Sequence, residues 1–82
     1  MDKNELLQII EKAEKDEASE LYLDRKGIES LPIQIGQLKK LRILLLNNNE
    51  LTHVPPEIGR LPNLKELYLD NNQLKTIPSE IG

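Results

Sequence analysis

A 23-residue period is the feature of this sequence that most limits the folds open to it. Residues 41–63, LRILLLNNNELTHVPPEIGRLPN, align without a gap with residues 64–82, LKELYLDNNQLKTIPSEIG. Residues 18–40, ASELYLDRKGIESLPIQIGQLKK, follow the same register with more substitutions. A fixed period of this length indicates stacked units, each too small to bury its own apolar face. We therefore expect three repeat units in residues 18–82, the last of them incomplete.

Each unit begins with a short stretch that has the pattern of a strand. In the second unit, Leu44 and Leu46 flank Leu45, which is the alternation of a strand with one buried face. Strands that come from equivalent positions of successive units must pair in parallel and in register. We expect three parallel strands near residues 20–23, 43–46 and 66–69.

An asparagine follows the second and third strands at equivalent positions. Asn49 and Asn72 can turn inward there and satisfy buried backbone groups of adjacent units, which we expect to form a structural ladder. The first unit has Lys26 at this position. Because lysine has donors only, it cannot accept hydrogen bonds from backbone N–H groups. We expect Lys26 to point out of the stack.

The second half of each unit combines proline with an Ile-Gly pair. Proline removes a donor and disrupts strand pairing, so these residues should direct the chain around the side opposite the sheet. The glycines are expected where the chain turns back towards the next strand. The prolines are Pro32, Pro55, Pro56 and Pro78, and the glycines are Gly36, Gly59 and Gly82.

Residues 1–17 predict an N-terminal helical cap. One apolar stripe has helical spacing and comprises Leu6, Ile9, Ile10 and Ala13. Asp2 and Glu5 have the spacing of a capping box at the start of this helix. We expect the helix to cover the open end of the first unit. A partner-binding helix is the alternative, and the acidic charge of the segment disfavours a membrane-surface helix.

The leucine spacing, the asparagine position and the Pro-x-x-Ile-Gly-x-Leu tail recur together over residues 18–82. In this combination the sequence resembles the leucine-rich repeat family, and within it the short-repeat class of bacterial and plant intracellular proteins. The resemblance implies an α/β solenoid with three short parallel strands on its concave face. The N-terminal segment is similar to that of cyanobacterial leucine-rich repeat proteins, some of which continue into Roco-type GTPase domains.

Charge and composition narrow the classes of partner. The net charge is −3, and the excess of acid lies in residues 1–17, which contain six acidic and three basic residues. Residues 18–82 contain eight of each and therefore lack the basic footprint that nucleic acid or an anionic membrane needs. There is no cysteine, and no segment has the pattern of a signal peptide or membrane span. We expect a cytoplasmic protein.

The sequence predicts no catalytic site, metal site or cofactor. His53 is the single histidine, and it precedes Val-Pro-Pro in an expected turn. Ser19, Ser30 and Ser79 occupy unrelated repeat positions, so a Ser-His-Asp arrangement is not indicated. The asparagine-rich stretches lack the glycine and the final glutamate of an EF-hand loop, and no P-loop motif occurs. We expect that the chain is not an enzyme.

The solvent-facing positions of the three strands are the candidate site. In the leucine-rich repeat family these positions usually contact partners, and here they are Tyr22, Asp24, Ile43, Leu45, Asn47, Glu66, Tyr68 and Asp70. Tyrosine is enriched at binding hot spots, but aromatic and branched residues on neighbouring strands also stabilise each other across a sheet. Both interpretations stay open. The acidic flank would suit a partner with Lys or Arg beside an apolar group.

Three functions are compatible with these patterns. The first is a protein-interaction module that acts through the concave face, for example in signalling. The second is the recognition arm of a larger Roco-like GTPase whose catalytic domain lies beyond residue 82. The third is a structural segment that associates end to end through its last unit, where an unpaired strand edge would be exposed. We expect the chain to be cut from a longer protein, or its last unit to be covered by another molecule.

Overall fold

The computed structural model describes residues 1–75, in which one helix precedes three short strands. The elements are α1 (Lys3–Lys15), β1 (Glu20–Tyr22), β2 (Ile43–Leu45) and β3 (Glu66–Tyr68). The strands form one parallel sheet in the order β1-β2-β3. Glu20 lies opposite Ile43, which in turn lies opposite Glu66. The predicted strands, their parallel pairing and their register are therefore confirmed, with each strand one residue shorter than expected. We call residues 18–40, 41–63 and 64–75 the first, second and third coils.

The core is a layer of aliphatic side chains between the sheet and the opposite side of each coil. The side chains that are 0–1% exposed are Ile10, Leu23, Ile28, Ile35, Leu41, Leu44, Leu46, Leu51 and Ile58. Four residues of the third coil pack against this layer but are only partly buried: Leu64, Leu67, Leu69 and Leu74. The second coil is therefore the best covered part of the stack.

Helix α1 closes the side of the first coil that faces away from the second. Its N-cap is Asp2, whose carboxylate accepts a hydrogen bond from the Glu5 backbone N–H at 2.8 Å, and this hydrogen bond also lowers the pKa of Asp2. Leu6, Ile10 and Ala13 of the helix are buried in the shared core. The cap predicted at Asp2 is confirmed. Of the predicted apolar stripe these three residues are buried, and Ile9 is partly buried against the same core.

The helix ends in a Schellman motif that turns the chain into the first strand. Glu17 adopts a left-handed conformation with φ of 51°. Its N–H donates to the Glu14 carbonyl at 3.1 Å, and the Ala18 N–H donates to the Ala13 carbonyl at 3.0 Å. These two bonds satisfy carbonyls that a helix end otherwise leaves unpaired.

Within residues 1–75, the side opposite the sheet contains two short 3-10 helices, Ile33–Gln37 and Pro56–Arg60. Gly36 was expected to provide a turn, but it lies inside the first of these helices and outside the left-handed region. A Cβ added at Gly36 would lie 3.0 Å from the Cβ of Glu57 in the next coil. The glycine therefore permits close approach of neighbouring coils, which corrects the expectation. Gly59 lies inside the second 3-10 helix, and Pro78 and Gly82 lie outside the described residues.

Asn49 joins the first and second coils through backbone groups of both. Its Oδ1 accepts hydrogen bonds from the N–H groups of Lys26 at 2.9 Å and Ile28 at 3.0 Å. Its Nδ2 donates to the carbonyls of Leu23 and Leu46, each at 2.9 Å. The residue is only 7% exposed, and all four bonds lie in or near the core. An amide is suited to this position because it both donates and accepts.

Asn72 repeats this arrangement between the second and third coils with fewer bonds. Its Oδ1 accepts from the Leu51 N–H at 3.0 Å, and its Nδ2 donates to the carbonyls of Leu46 and Leu69, each at 2.9 Å. It is half-buried. At the equivalent position of the first coil Lys26 is exposed. Its carbonyl accepts a hydrogen bond from the Met1 amino group at 3.1 Å.

In the segment that follows each strand, one residue at an equivalent repeat position adopts the left-handed conformation. Arg25, Asn48 and Asn71 have φ values of 56°, 60° and 60°. Asparagine tolerates this region, whereas a side chain such as arginine costs about 1–2 kcal/mol there. The first coil thus retains a strained residue at a position where the other two coils have asparagine.

Candidate partner-binding face

Alternate residues of the three strands project away from the core and form one regular surface, which we call the sheet face. It comprises Glu20, Tyr22, Asp24, Ile43, Leu45, Asn47, Glu66, Tyr68 and Asp70. Within β1 and β3 the glutamate and tyrosine are exposed and the leucine between them is half-buried. In β2 the two face positions are apolar instead: Ile43 and Leu45 are half-buried, and Leu44 between them is fully buried. The eight residues predicted from the sequence all belong to this surface.

The centre of the sheet face is a row of two tyrosines with a leucine between them. Tyr22 lies opposite Leu45, and Leu45 lies opposite Tyr68. Tyr22 is 56% exposed and Tyr68 is 43% exposed. About half of each tyrosine is therefore open to solvent. The row therefore presents aromatic surface at the centre of the sheet face.

Each tyrosine is tied to a glutamate of its own strand. The hydroxyl of Tyr22 donates to the Glu20 carboxylate, and the hydroxyl of Tyr68 donates to the Glu66 carboxylate at 2.5 Å. These hydrogen bonds raise the pKa of both tyrosines above the ordinary value of 10.0. The phenols are therefore neutral donors at physiological pH. Glu20 was absent from the predicted contact set, although its spacing of two residues from Tyr22 placed it on the same face.

The sheet face has more negative than positive charge near its centre. Asp24 is half-buried and Asp70 is exposed, and each follows a strand, just beyond its tyrosine. In residues 1–75, the ion pairs within 4.0 Å join Lys12 to Asp16 and Glu57 to Arg60, neither of which lies on this face. Basic residues lie next to this acidic region along the chain. Arg25 directly follows Asp24, Arg42 directly precedes Ile43, and Lys65 directly precedes Glu66.

His53, the histidine considered in the sequence, is exposed and its Nδ1 lies 3.1 Å from the Thr52 hydroxyl. Across residues 1–75, no three His, Cys, Asp or Glu side chains are grouped in a way that could hold a metal ion. In the same residues, no helix is long and apolar enough to cross a membrane. The sheet face is the surface on which the predicted functional residues converge.

Comparison with known proteins identifies the repeat. The model of the leucine-rich repeat matches residues 17–74, well over half of the sequence. The chain belongs to the leucine-rich repeat family. A solved structure of a leucine-rich repeat protein from Leptospira interrogans is 28% identical in sequence, with a TM-score of 0.42, over 87% of the present chain. That match covers 30% of the Leptospira chain, so the present chain spans less than a third of the length of the Leptospira protein. No curated protein matches the sequence.

Membership of this family has a general functional implication. Leucine-rich repeat domains are generally protein-interaction modules and are typically non-catalytic. The fold alone does not assign a site, so the site has to follow from the side chains. In this leucine-rich repeat chain the exposed tyrosines and the carboxylates around them are the most distinctive side chains of the sheet.

Proposed function

We propose that this chain is a non-catalytic interaction module that binds a protein partner through the sheet face. The observation that supports the proposal is the exposure of Tyr22 and Tyr68, which are 56% and 43% exposed in one continuous row. Tyrosine offers a large contact area with few rotatable bonds, and it is enriched among residues that dominate binding energy. Two such residues, one on the first coil and one on the third, form a contact patch on either side of Leu45.

The surroundings of this row favour binding because they hold it in place. Leu45 lies between the two tyrosines in the strand register, and the neighbouring Leu44 is fully buried in the core. Asn49 fixes the backbone that follows β1 and β2. Since the patch is held by the core and by the glutamate hydrogen bonds, its side chains lose little freedom when a partner binds. A rigid platform of this kind suits recognition.

A second candidate function is self-association through the third coil. β3 pairs with β2 along one edge in the described sheet, and Leu64, Leu67 and Leu69 are only partly buried. An open strand edge beside apolar side chains is a template for pairing with another chain. Light scattering across a concentration series tests this, and a constant monomer mass would contradict it.

The Roco-type context and the cytoplasmic location stay predictions.

The interaction proposal is tested with a paired set of variants. The double variant Tyr22→Ala/Tyr68→Ala removes the aromatic row, and Ile33→Ala removes an apolar side chain that is 62% exposed on the opposite side. Partners captured by the immobilised chain are identified by mass spectrometry, purified and measured for affinity. We expect the double variant to lose at least tenfold in affinity and Ile33→Ala to keep it. Equal affinity of the double variant and the parent chain, with an unchanged circular dichroism spectrum, would refute the proposal.

A further inference from the structure

The Glu-Leu-Tyr sequence occurs twice on the sheet face, in β1 and in β3. In each strand the tyrosine hydroxyl donates to the glutamate two residues earlier. To reach that carboxylate the ring has to lean along its strand, since alternate residues of a strand are about 6.6 Å apart. Each strand therefore presents a compact pair made of an aromatic ring and a carboxylate. The same pair appears at two equivalent positions of the stack.

The two tyrosine–glutamate pairs are separated by β2. Because neighbouring strands lie about 4.8 Å apart, the pairs are about 10 Å apart across the sheet. Ile43 and Leu45 occupy the space between them, and both are half-buried. The pattern across the strands is therefore anionic and aromatic, then apolar, then anionic and aromatic again.

Charge decides what can bind to such a pattern. The central rows of the sheet face contain four carboxylates, those of Glu20, Asp24, Glu66 and Asp70. In residues 1–75 the ion pairs within 4.0 Å involve none of them. An ammonium or guanidinium group can contact a carboxylate and an aromatic ring at the same time, and it gains from both contacts. An acidic partner segment would be repelled.

The spacing selects among the conformations of a polypeptide. A partner needs two cationic side chains about 10 Å apart, with an apolar side chain between them on the same side. On a strand, three successive residues of one face span about 13 Å. On polyproline II, residues i and i+3 are about 9 Å apart but have no residue between them on that face. On an α-helix, residues i and i+7 are about 10.5 Å apart, and i+3 and i+4 lie between them on the same face.

We propose that the sheet face binds an amphipathic helix of the partner with Lys or Arg at positions i and i+7 and an apolar residue at i+3 or i+4. The helix lies across the three strands, with one cation on the Glu20–Tyr22 pair and the other on the Glu66–Tyr68 pair. Its apolar residue contacts Ile43 and Leu45. This assignment rests on the proposed function, because it names the partner of the same face.

The test uses two fluorescein-labelled, alanine-based helical peptides of about 18 residues, a length at which isolated helices form. The first has Lys at i and i+7 with Leu at i+3 and i+4. The second has the same composition with the second Lys moved to i+5, which places it on another side of the helix. Fluorescence anisotropy with the full chain measures both affinities. We expect the first peptide to bind at least tenfold more tightly than the second, and its affinity to fall as salt is raised.

Matched protein variants distinguish the contribution of the sheet face to peptide affinity from that of the overall charge of the chain. Glu20→Gln/Glu66→Gln removes the two central carboxylates, and Glu11→Gln/Glu14→Gln removes two exposed carboxylates of α1. We expect the first double variant to lose at least tenfold in affinity for the first peptide and the second to stay within twofold of the parent chain. Equal affinity of the two peptides, equal losses in the two variants, or no peptide binding would overturn the helix assignment.

These outcomes are distinguishable from failure of the proposed function. If the purified partner binds through Tyr22 and Tyr68 while neither peptide binds, the interaction face stands and the helical cation pattern is wrong. If the partner binds equally to the parent chain and to Tyr22→Ala/Tyr68→Ala, the interaction face itself is wrong.

Discussion

The first and third coils occupy the two outer positions of the described stack, yet their equivalent residues differ in burial. Leu23 and Ile28 of the first coil are each 1% exposed. Their counterparts in the third coil, Leu69 and Leu74, are only partly buried. The sequence pattern is the same in both coils, so the difference comes from what lies beside them. Burial of a repeat leucine is thus decided by its neighbour and not by its own position in the repeat.

Helix α1 is the neighbour that makes this difference. Ile10 is 0% exposed and contributes to the same core as Leu23 and Ile28. In the second coil, which has a coil on either side, the equivalent residues Leu46 and Leu51 are also 0% exposed. At these two positions the helix covers the first coil about as well as another coil would.

The largest expected effect comes from breaking that coverage. Ile10→Asp places a carboxylate where the parent side chain is 0% exposed. Burying an unpaired charge is costly, and we expect the free energy of unfolding to fall by at least about 3 kcal/mol, with exposure of the first coil. Urea denaturation and binding of a hydrophobic dye measure this. Gln8→Asp on the exposed side of the helix is the control, and equal stability of the two variants would show that the helix does not seal the stack.

A matched leucine pair sharpens the comparison between covered and partly covered coils. Leu46→Ala removes a side chain that is 0% exposed, whereas Leu69→Ala removes its partly buried counterpart. We expect a loss of about 3–4 kcal/mol for the first and about 1–2 kcal/mol for the second, because the cost grows with the cavity left behind. Urea denaturation gives both values. Equal losses would mean that the third coil is fully covered in solution.

The asparagine ladder offers a polar version of the same comparison. Asn49 has two backbone N–H groups on its Oδ1, and Asn72 has one. We expect each alanine variant to cost about 1–3 kcal/mol in unfolding free energy, with Asn49→Ala the more costly because it leaves more buried groups unpaired. Lys26→Ala should change stability little, and Lys26→Asn should be neutral or stabilising. A greater loss for Lys26→Ala than for Asn49→Ala would reverse the assignment of the ladder.

The left-handed position allows a reciprocal exchange between the outer coils. Arg25 has φ of 56° and Asn71 has φ of 60°. We expect Arg25→Asn to stabilise the fold by about 0.5–1 kcal/mol and Asn71→Arg to destabilise it by a similar amount, because asparagine tolerates this region better. Thermal melts of both variants measure the changes. Shifts of the same sign would show that backbone strain does not set the preference.

The smallest effect is expected where the two outer coils are alike. The Glu20 carboxylate raises the pKa of Tyr22 through a hydrogen bond, and the Glu66 carboxylate does the same for Tyr68. Glu20→Gln and Glu66→Gln each remove the charge that opposes phenol ionisation. Each should therefore lower the pKa of its own tyrosine, as measured by tyrosinate absorbance between neutral and high pH. If neither titration moves, the hydrogen bonds are not maintained in solution.

The repeat period predicted the backbone well because it constrains equivalent positions directly. A fixed offset between coils places Glu20, Ile43 and Glu66 side by side, and the parallel register follows. The cap at Asp2 was also predictable, because capping is a local interaction along the chain. Features set by the repeat period or by one local segment were therefore accessible from the sequence.

Features that depend on the distance between coils or on side-chain conformation could not be predicted from the sequence. Gly36 is needed because Glu57 of the next coil approaches it, and no local pattern reports that approach. The tyrosine–glutamate pairs depend on side-chain conformations that strand alternation leaves open. The left-handed residues were partly accessible, since Asn48 and Asn71 are of the type that favours this region, but Arg25 is not.

The bonds of Asn49 give the stack a direction. Its short bonds to Lys26, Ile28 and Leu23 belong to the coil before it, while one more, to Leu46, belongs to its own. The backbone of the first coil is thus completed by Asn49 of the second, and that of the second coil by Asn72 of the third. Damage to one coil should therefore weaken the coil on its N-terminal side more than the coil on its C-terminal side. A unit that can be duplicated or exchanged intact runs from one asparagine to the next, out of phase with the leucine repeat.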